Sequence, residues 1–232
     1  MPLSPQILLP LENRPDDRFE NYVAGQNHNV VLALQELAEA PEGCVFISGP
    51  QGSGKSHLLN ASCNLARSRG LRAFYFVPAR LPESAADGLS GLEEMDLVCI
   101  DDIDRIAGAA IWENALFHFF NRFRERHGRL VASSSIALST LHFQLPDLAS
   151  RLAWGLRLQI EPLADDDKLN LMRIKAGALG INLPDEVAHY LINRGQRDTV
   201  SLLAWLEAIR VEALAEKRKI TLALARKVVS GG

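Results

Sequence analysis

Along its first two thirds the chain alternates short unbroken apolar runs with longer stretches of helical period. Residues 30–37 space their apolar side chains as a helix does. Cys44-Val45-Phe46-Ile47-Ser48 then forms a strand-length run, and 56–69 return to the helical period before Gly70 ends them. The same exchange recurs through the runs 72–77, stopped by Pro78, and 97–100, a helix over about 110–126, and the runs 129–134 and 157–160. Apolar runs without alternation, separated by helices, belong to strands buried on both faces. An α/β body with a parallel sheet covered by helices on both sides follows. After Glu161-Pro162-Leu163 the strand-length runs cease. Helical stretches begin at Asp165-Asp166-Asp167 and run to about 178, open again at Leu183-Pro184-Asp185-Glu186 and run to about 194, and continue over 198–216 and 221–229. The organisation expected is an exposed arm over 1–18, a nucleotide-binding α/β domain over 19–162 and a small all-α lid domain over 163–232.

Composition adds little to this picture and removes some alternatives. With 232 residues, 47% hydrophobic and 23% charged, the chain can bury a full core, and its formal charge of -3 gives no global attraction to DNA or to a membrane surface. No run approaches the roughly 18 apolar residues of a spanning helix, and the N-terminus lacks a basic segment ahead of an apolar one. Cys44, Cys63 and Cys99 show no metal-binding or redox spacing, so a reducing, cytoplasmic setting is expected. The histidines, His28, His57, His118, His127, His142 and His189, likewise show no metal-ligand spacing.

The sharpest chemical signal is Gly49-Pro50-Gln51-Gly52-Ser53-Gly54-Lys55-Ser56, a complete phosphate-binding loop between the first apolar run and a helix. The glycines let successive backbone N–H groups curl around a polyphosphate, Lys55 is suited to the β- and γ-phosphates, and the Ser56 hydroxyl to Mg²⁺ at the helix N-terminus. Gln51, Gly52, Ser53, Gly54, Lys55, Ser56 and His57 are therefore the expected nucleotide-binding residues. About 50 residues on, the run 96–100 ends in Asp101-Asp102-Ile103-Asp104. At a strand end after a phosphate loop, the first carboxylate suits Mg²⁺ and the second can polarise an attacking water, so Asp101 is assigned to the metal and Asp102 to catalysis. An aspartate at the second place is one methylene shorter than glutamate, which points to slow hydrolysis. Ser133-Ser134-Ser135 ends the next run and offers a hydroxyl to the γ-phosphate or simply a loop. The sequence does not choose among the three.

Leu145-Pro146-Asp147-Leu148-Ala149-Ser150-Arg151-Leu152 reads as a short helix with a lone arginine. Arg151 could neutralise charge in a neighbouring subunit's nucleotide site or form a surface ion pair. Gln6-Ile7-Leu8-Leu9-Pro10-Leu11 is an apolar island in a polar arm, suited to lie extended in a partner's groove or on the protein's own surface. The basic segment 121–129 reads as a solvated helix end.

Taken together these segments resemble the AAA+ ATPases, and among them the DnaA/Hda family of replication regulators. Phe19-Glu20-Asn21-Tyr22-Val23-Ala24-Gly25-Gln26-Asn27 looks like the family's segment beside the adenine, which adds Tyr22 and Val23 to the nucleotide site. Asp101-Asp102-Ile103 looks like its Walker B strand end, and Leu148-Ala149-Ser150-Arg151-Leu152 like the motif carrying its arginine finger. The chain stops after the lid, as does the Hda branch, which lacks a DNA-binding domain and begins with a sliding-clamp motif matched by Gln6 to Leu11 with Ile7 in second place. The resemblance implies docking on the DNA polymerase III β sliding clamp, bound ADP or ATP with Mg²⁺, and Arg151 acting on ATP held by DnaA. DNA would be met only through the clamp, and homo-oligomerisation is left open. The family's sensor 2 arginine falls here on Val200, with Arg197 nearby as a substitute. The alternative is an ATPase of the DnaA or DnaC type that acts as initiator or helicase loader.

Overall fold

A computed structural model describes residues 14–194 and 198–230. The apolar island at 6–11 and Arg197 lie outside them. The chain separates into two units, one of residues 1–50 and 54–162, the other of 51–53 and 163–232.

The first unit is built on a five-stranded, wholly parallel sheet. Its strands are β1 (Gly43–Ser48), β2 (Ala73–Phe76), β3 (Leu97–Ile100), β4 (Arg129–Ser134) and β5 (Leu156–Gln159), in the spatial order β2-β3-β4-β1-β5. Its helices are α1 (His28–Leu37), α2 (Lys55–Ser68), α3 (Ala110–Glu125) and α4 (Pro146–Leu152). The expected parallel α/β body is therefore present, with element ends within about two residues of those read from periodicity. Successive strand residues point to opposite faces, and each face has its own core. Val45, Ile47, Leu97, Cys99 and Val131 pack with α1 and α2. Phe46, Val98, Ile100, Leu130 and Ala132 pack with α3 and α4. Both faces being apolar explains why the strands read as unbroken runs. Between β2 and α3 the chain folds into short 3-10 turns, 78–80, 83–89, 92–94 and 103–106, which no hydrophobic period announces.

Residues 14–18 remain mostly exposed yet are tied to α2: Asn64 Nδ2 donates to Arg14 O and Asp17 O at 2.8 Å each, and His57 Nε2 lies 2.8 Å from Arg18 O. A second tie joins Asn27 and Glu161. The buried amide donates to Glu161 O at 3.0 Å and accepts from Glu161 N at 2.8 Å, fixing the start of the body to the segment after β5.

The second unit contains α5 (Asp165–Ala178), α6 (Asp185–Arg194), α7 (Thr199–Ala215) and α8 (Leu222–Ser230), around a core that includes Met172, Val187, Leu191, Leu202, Ile209 and Ala225. Asp165, Asp166 and Asp167 occupy the first turn of α5, where the helix dipole favours negative charge. Asp198 caps α7 by accepting from Ser201 N at 2.8 Å. Among the described residues no helix is long and apolar enough to cross a membrane.

Gly155 allows β5 to start beside β1. A Cβ there would lie 1.8 Å from Cys44 O, a backbone atom of a central strand that cannot step aside. Gly155→Ala is expected to cost about 2 to 3 kcal/mol, as overpacking does. Urea unfolding of the full chain measures this, and an unshifted midpoint would show that the edge strand moves freely.

Candidate nucleotide site and an arginine-bearing helix

Strand register assembles the first cluster. Ile100 pairs with Ala132, so the next residues, Asp101 and Ser133, meet at the ends of β3 and β4. Tyr75 pairs with Cys99, two residues before Asp101, and strand alternation puts Tyr75 and Asp101 on the α2 face together. Asp101 is only 1% exposed, and both oxygens of its carboxylate have partners in this corner. Oδ2 accepts from the Tyr75 hydroxyl at 2.7 Å, while Oδ1 accepts from the Ser133 hydroxyl and from Asp102 N at 3.2 Å. Burial, and then the Asp101 charge, drive the Tyr75 phenol far above its ordinary pKa, and a hydrogen bond from the Ser56 side chain opposes them weakly. Ser56 and Asp101 thus converge on one phenol.

The three serines that the sequence left undivided separate cleanly. Ser133 bonds to Asp101 and also receives Asp102 N at 3.0 Å. Ser134 accepts from Ile136 N, and Ser135 is committed to Asp104. Ser133 is the one that joins the strand-end cluster.

The phosphate loop lies between β1 and α2. Gly52 and Gly54 have φ of +78° and +87°, left-handed values that glycine adopts without strain. Gly54 is doubly constrained, because a Cβ would sit 2.6 Å from Tyr22 Cε2. The family segment's Tyr22 is therefore packed against the loop, with burial pushing its hydroxyl pKa up to about 12 and its ring centroid 5.6 Å from that of His57. Val23, beside it, is buried. The His57 ring nitrogens face Arg18 O and Asp17, which leaves the backbone amide of His57 as its contribution to a helix N-terminus. Lys55 is buried, its Nζ donating to Gly49 O at 2.8 Å and Pro50 O at 3.1 Å, so the ammonium is held inside the loop's own curve. Burial lowers its pKa, and the charges of Asp102 and Asp101 oppose the shift.

Asp102 differs from its neighbour. Its φ of +53° is a left-handed conformation tolerated best by glycine, asparagine and aspartate. Its side chain is 29% exposed and lies 3.5 Å from Arg105. Burial, followed by Asp101, holds its pKa above the ordinary aspartate value. Among the described residues no group of three or more His, Cys, Asp or Glu could hold a metal by itself. The donors present fit Mg²⁺ only in its usual phosphate-associated mode: the Ser56 hydroxyl, an Asp101 Oδ2 that retains a lone pair, and ligands from water and nucleotide.

Arg151 belongs to a separate place in the same unit. The short α4 is anchored to α3 by Glu113, a carboxylate 1% exposed, which accepts from Gly108 N at 2.6 Å and Leu145 N at 2.8 Å. Gln144 Nε2 donates to Gly108 O at 2.6 Å beside it. Neither tie has a sequence signature. Arg151 leaves the last turn of α4 with its guanidinium carbon 5.9 Å from the centroid of Phe117, and among the described residues no carboxylate lies within ion-pair distance of it. Among the described residues Arg151 forms no surface ion pair of the kind considered from sequence.

In the second unit Val200, where the resemblance would put an arginine, is 44% exposed. A Cβ on Gly52, a residue of that same unit, would lie 2.5 Å from Val200 Cγ2.

Comparison with known proteins agrees with this geometry. A family model described as the bacterial DnaA ATPase domain matches residues 13–159, and one described as the Hda lid domain matches residues 165–229. Domain III of the Thermotoga maritima replication initiation protein DnaA is 24% identical, with a TM-score of 0.85 over 94% of this chain and 97% of that one. AMPPCP-bound DnaA from Aquifex aeolicus is 22% identical, with a TM-score of 0.73 over 88% of this chain and 68% of that one. The Thermotoga maritima RuvB Holliday junction branch migration motor is 14% identical, with a TM-score of 0.73 over 94% and 73%. At these identities the structural likeness shows the AAA+ fold.

Asp102 makes a prediction about stability. A carboxyl whose folded pKa exceeds its unfolded value binds its proton more tightly when folded. Its contribution is fully present below the ordinary value of 3.8 and is lost as pH rises through the folded pKa. Asp102→Asn keeps a side chain suited to positive φ and removes the disfavoured charge. It is expected to stabilise the protein at neutral pH by up to about 0.5 kcal/mol, with no gain below pH 3.8. Urea midpoints of both proteins across that range provide the check, and a pH-independent difference would contradict it.

Proposed function

The chain belongs to the DnaA/Hda family of AAA+ proteins, with a DnaA-type ATPase domain and an Hda-type lid, and from that premise we propose that it acts in the cytoplasm to switch off replication initiation. In this reading Gln6, Ile7, Leu8, Leu9, Pro10 and Leu11 dock on the β sliding clamp. Tyr22, Val23 and Gln51 to His57 hold ADP or ATP, and Arg151 acts on ATP bound to DnaA. The nucleotide assignment draws support from the DnaA relatives bound to AMPPCP and from the curled loop around Lys55. Ser56 and Asp101 would hold Mg²⁺, which neutralises phosphate charge when bound.

The observation that carries the proposal is the condition of Arg151. A buried carboxylate fixes its helix, an aromatic ring lies under its guanidinium, and among the described residues no acid lies within ion-pair distance of it. A planar fork held this way can meet charge developing on a neighbour's transferring phosphoryl group without first breaking an ion pair. Asp102, half-buried beside Lys55 and paired with Arg105, keeps slow intrinsic hydrolysis within the chemistry of the site. The competing reading, an ATPase acting as initiator or helicase loader, rests on that same acid.

Two experiments test the assignment. Arg151→Ala is expected to retain ADP and clamp binding and to lose stimulation of DnaA-bound ATP hydrolysis by about 10³-fold or more, the range measured for arginine fingers. Arg151→Lys should rescue poorly, because an ammonium lacks the fork. Conversion of labelled ATP on DnaA, with loaded clamp, is the measurement, and full stimulation by Arg151→Ala would move the weight to the helicase-loader reading. Replacing Gln6, Leu9 and Leu11 by alanine should abolish clamp capture in a surface-binding assay while the thermal midpoint stays put. Undiminished capture would end the docking assignment.

A further inference from the structure

Arg151 is not alone on its surface. Arg124, from the last turn of α3, opens into the same recess of about 480 Å³, together with Asn121 and Glu125. The arginines on either side are neutralised in the ordinary way, Arg122 of α3 by Glu93 at 3.1 Å and Arg126, which caps the helix, by Glu94 at 2.5 Å. Arg124 is treated as Arg151 is. Among the described residues it has no acid within ion-pair distance, and its guanidinium carbon lies 4.9 Å from the centroid of the Trp154 ring. That indole is 43% exposed and stands edge-on to the buried Phe120 at 6.5 Å, so the core braces the platform.

An aromatic face supports a guanidinium without consuming its N–H donors, which stay directed outward from the edge of the plane. Two such forks therefore face one recess with their hydrogen-bonding capacity unspent, and the Asn121 amide adds a neutral donor. Glu125 supplies one carboxylate against two guanidinium charges. Like charges sharing a recess repel, so the arrangement is stabilised by an anion that engages both. A single carboxylate satisfies one fork. Oxygens spread over adjacent phosphates satisfy two.

We propose that Arg124 is a second cationic contact to the same polyphosphate that Arg151 engages, the nucleoside triphosphate held in the phosphate loop of a neighbouring AAA+ subunit. Arg151 and Arg124 grip it from α4 and α3, each set by its own ring, Phe117 and Trp154. This rests on the function proposed above for Arg151.

The test uses the full chain, loaded clamp and the ATP-bound DnaA partner, with Arg124→Gln and Arg124→Lys beside Arg151→Ala. Arg124→Gln keeps a flat amide for the indole and removes the charge. It is expected to lower the plateau rate of hydrolysis about 100-fold, the lower end of the range for one stabilising donor, with Lys recovering part of the loss. Thermal midpoints should be unchanged, since Arg124 is exposed. An unaltered plateau with Arg124→Gln would overturn the proposal, as would a rise in the half-saturating concentration alone, which would mean contact with the partner's protein surface. If Arg151→Ala abolishes stimulation and Arg124→Gln does not, this inference alone falls. If Arg151→Ala stimulates fully, the proposed function falls with it.

Discussion

The first unit depends on one buried carboxylate. Asp101 sits where three strands end, and its hydrogen bonds reach β2 through Tyr75, β4 through Ser133 and its own chain through Asp102 N. Hydrogen bonds to a charged group are worth about 1.5 to 3 kcal/mol each, and a buried carboxylate deprived of them would bear its full desolvation cost. The corner is therefore held or lost as a whole. Because it is held, the left-handed turn at Asp102 has a fixed start, and the Lys55 side chain faces acids whose positions are set.

A second carboxylate repeats this solution on the other side of the sheet. Glu113 accepts from Gly108 N and Leu145 N, so the start of α3 and the approach to α4 share one acceptor. A helix as short as α4 has little stability of its own and takes its orientation from such ties and from the burial of Leu148 and Leu152. The direction in which Arg151 leaves the body is consequently set by groups well away from it in sequence.

The elements and the phosphate loop were legible in the chain because their signals are local: unbroken apolar runs, glycines before Lys55-Ser56, acids at a strand end. What was not legible depends on register and packing. Nothing in Ser133-Ser134-Ser135 distinguishes its first member until Ala132 is known to pair with Ile100. Tyr75 looks like any strand aromatic until β2 is known to flank β3. The basic segment 121–129 has the sequence of one solvated helix end, yet it divides into paired and stacked arginines because Glu93, Glu94 and Trp154 arrive from distant segments. The 3-10 turns over 78–106 carry no periodicity, since their apolar residues answer to the core beneath them.

The two candidate regions rest on different cores. Helix α2, which begins at the phosphate loop, packs with Leu58, Leu59 and Cys63 into the core shared with Tyr75 and Val131. Helices α3 and α4, which carry the arginines, pack with Phe119, Phe123 and Leu148 into the core on the opposite face. Side chains alternate across a strand, so a change on one face is not passed directly to the other. The chain itself crosses just after the nucleotide-side corner, where Asp101 and Asp102 are followed by Ile103 and Ile106, both buried in the core beneath α3. Close-packed interiors are stiff and pass strain on, and a packed core answers it by switching between discrete arrangements and not by deforming continuously. In the function proposed above, this turn, with the left-handed Asp102 at its start, is a covalent link between the strand-end cluster beside the phosphate loop and the core on which Arg151 and Arg124 are carried.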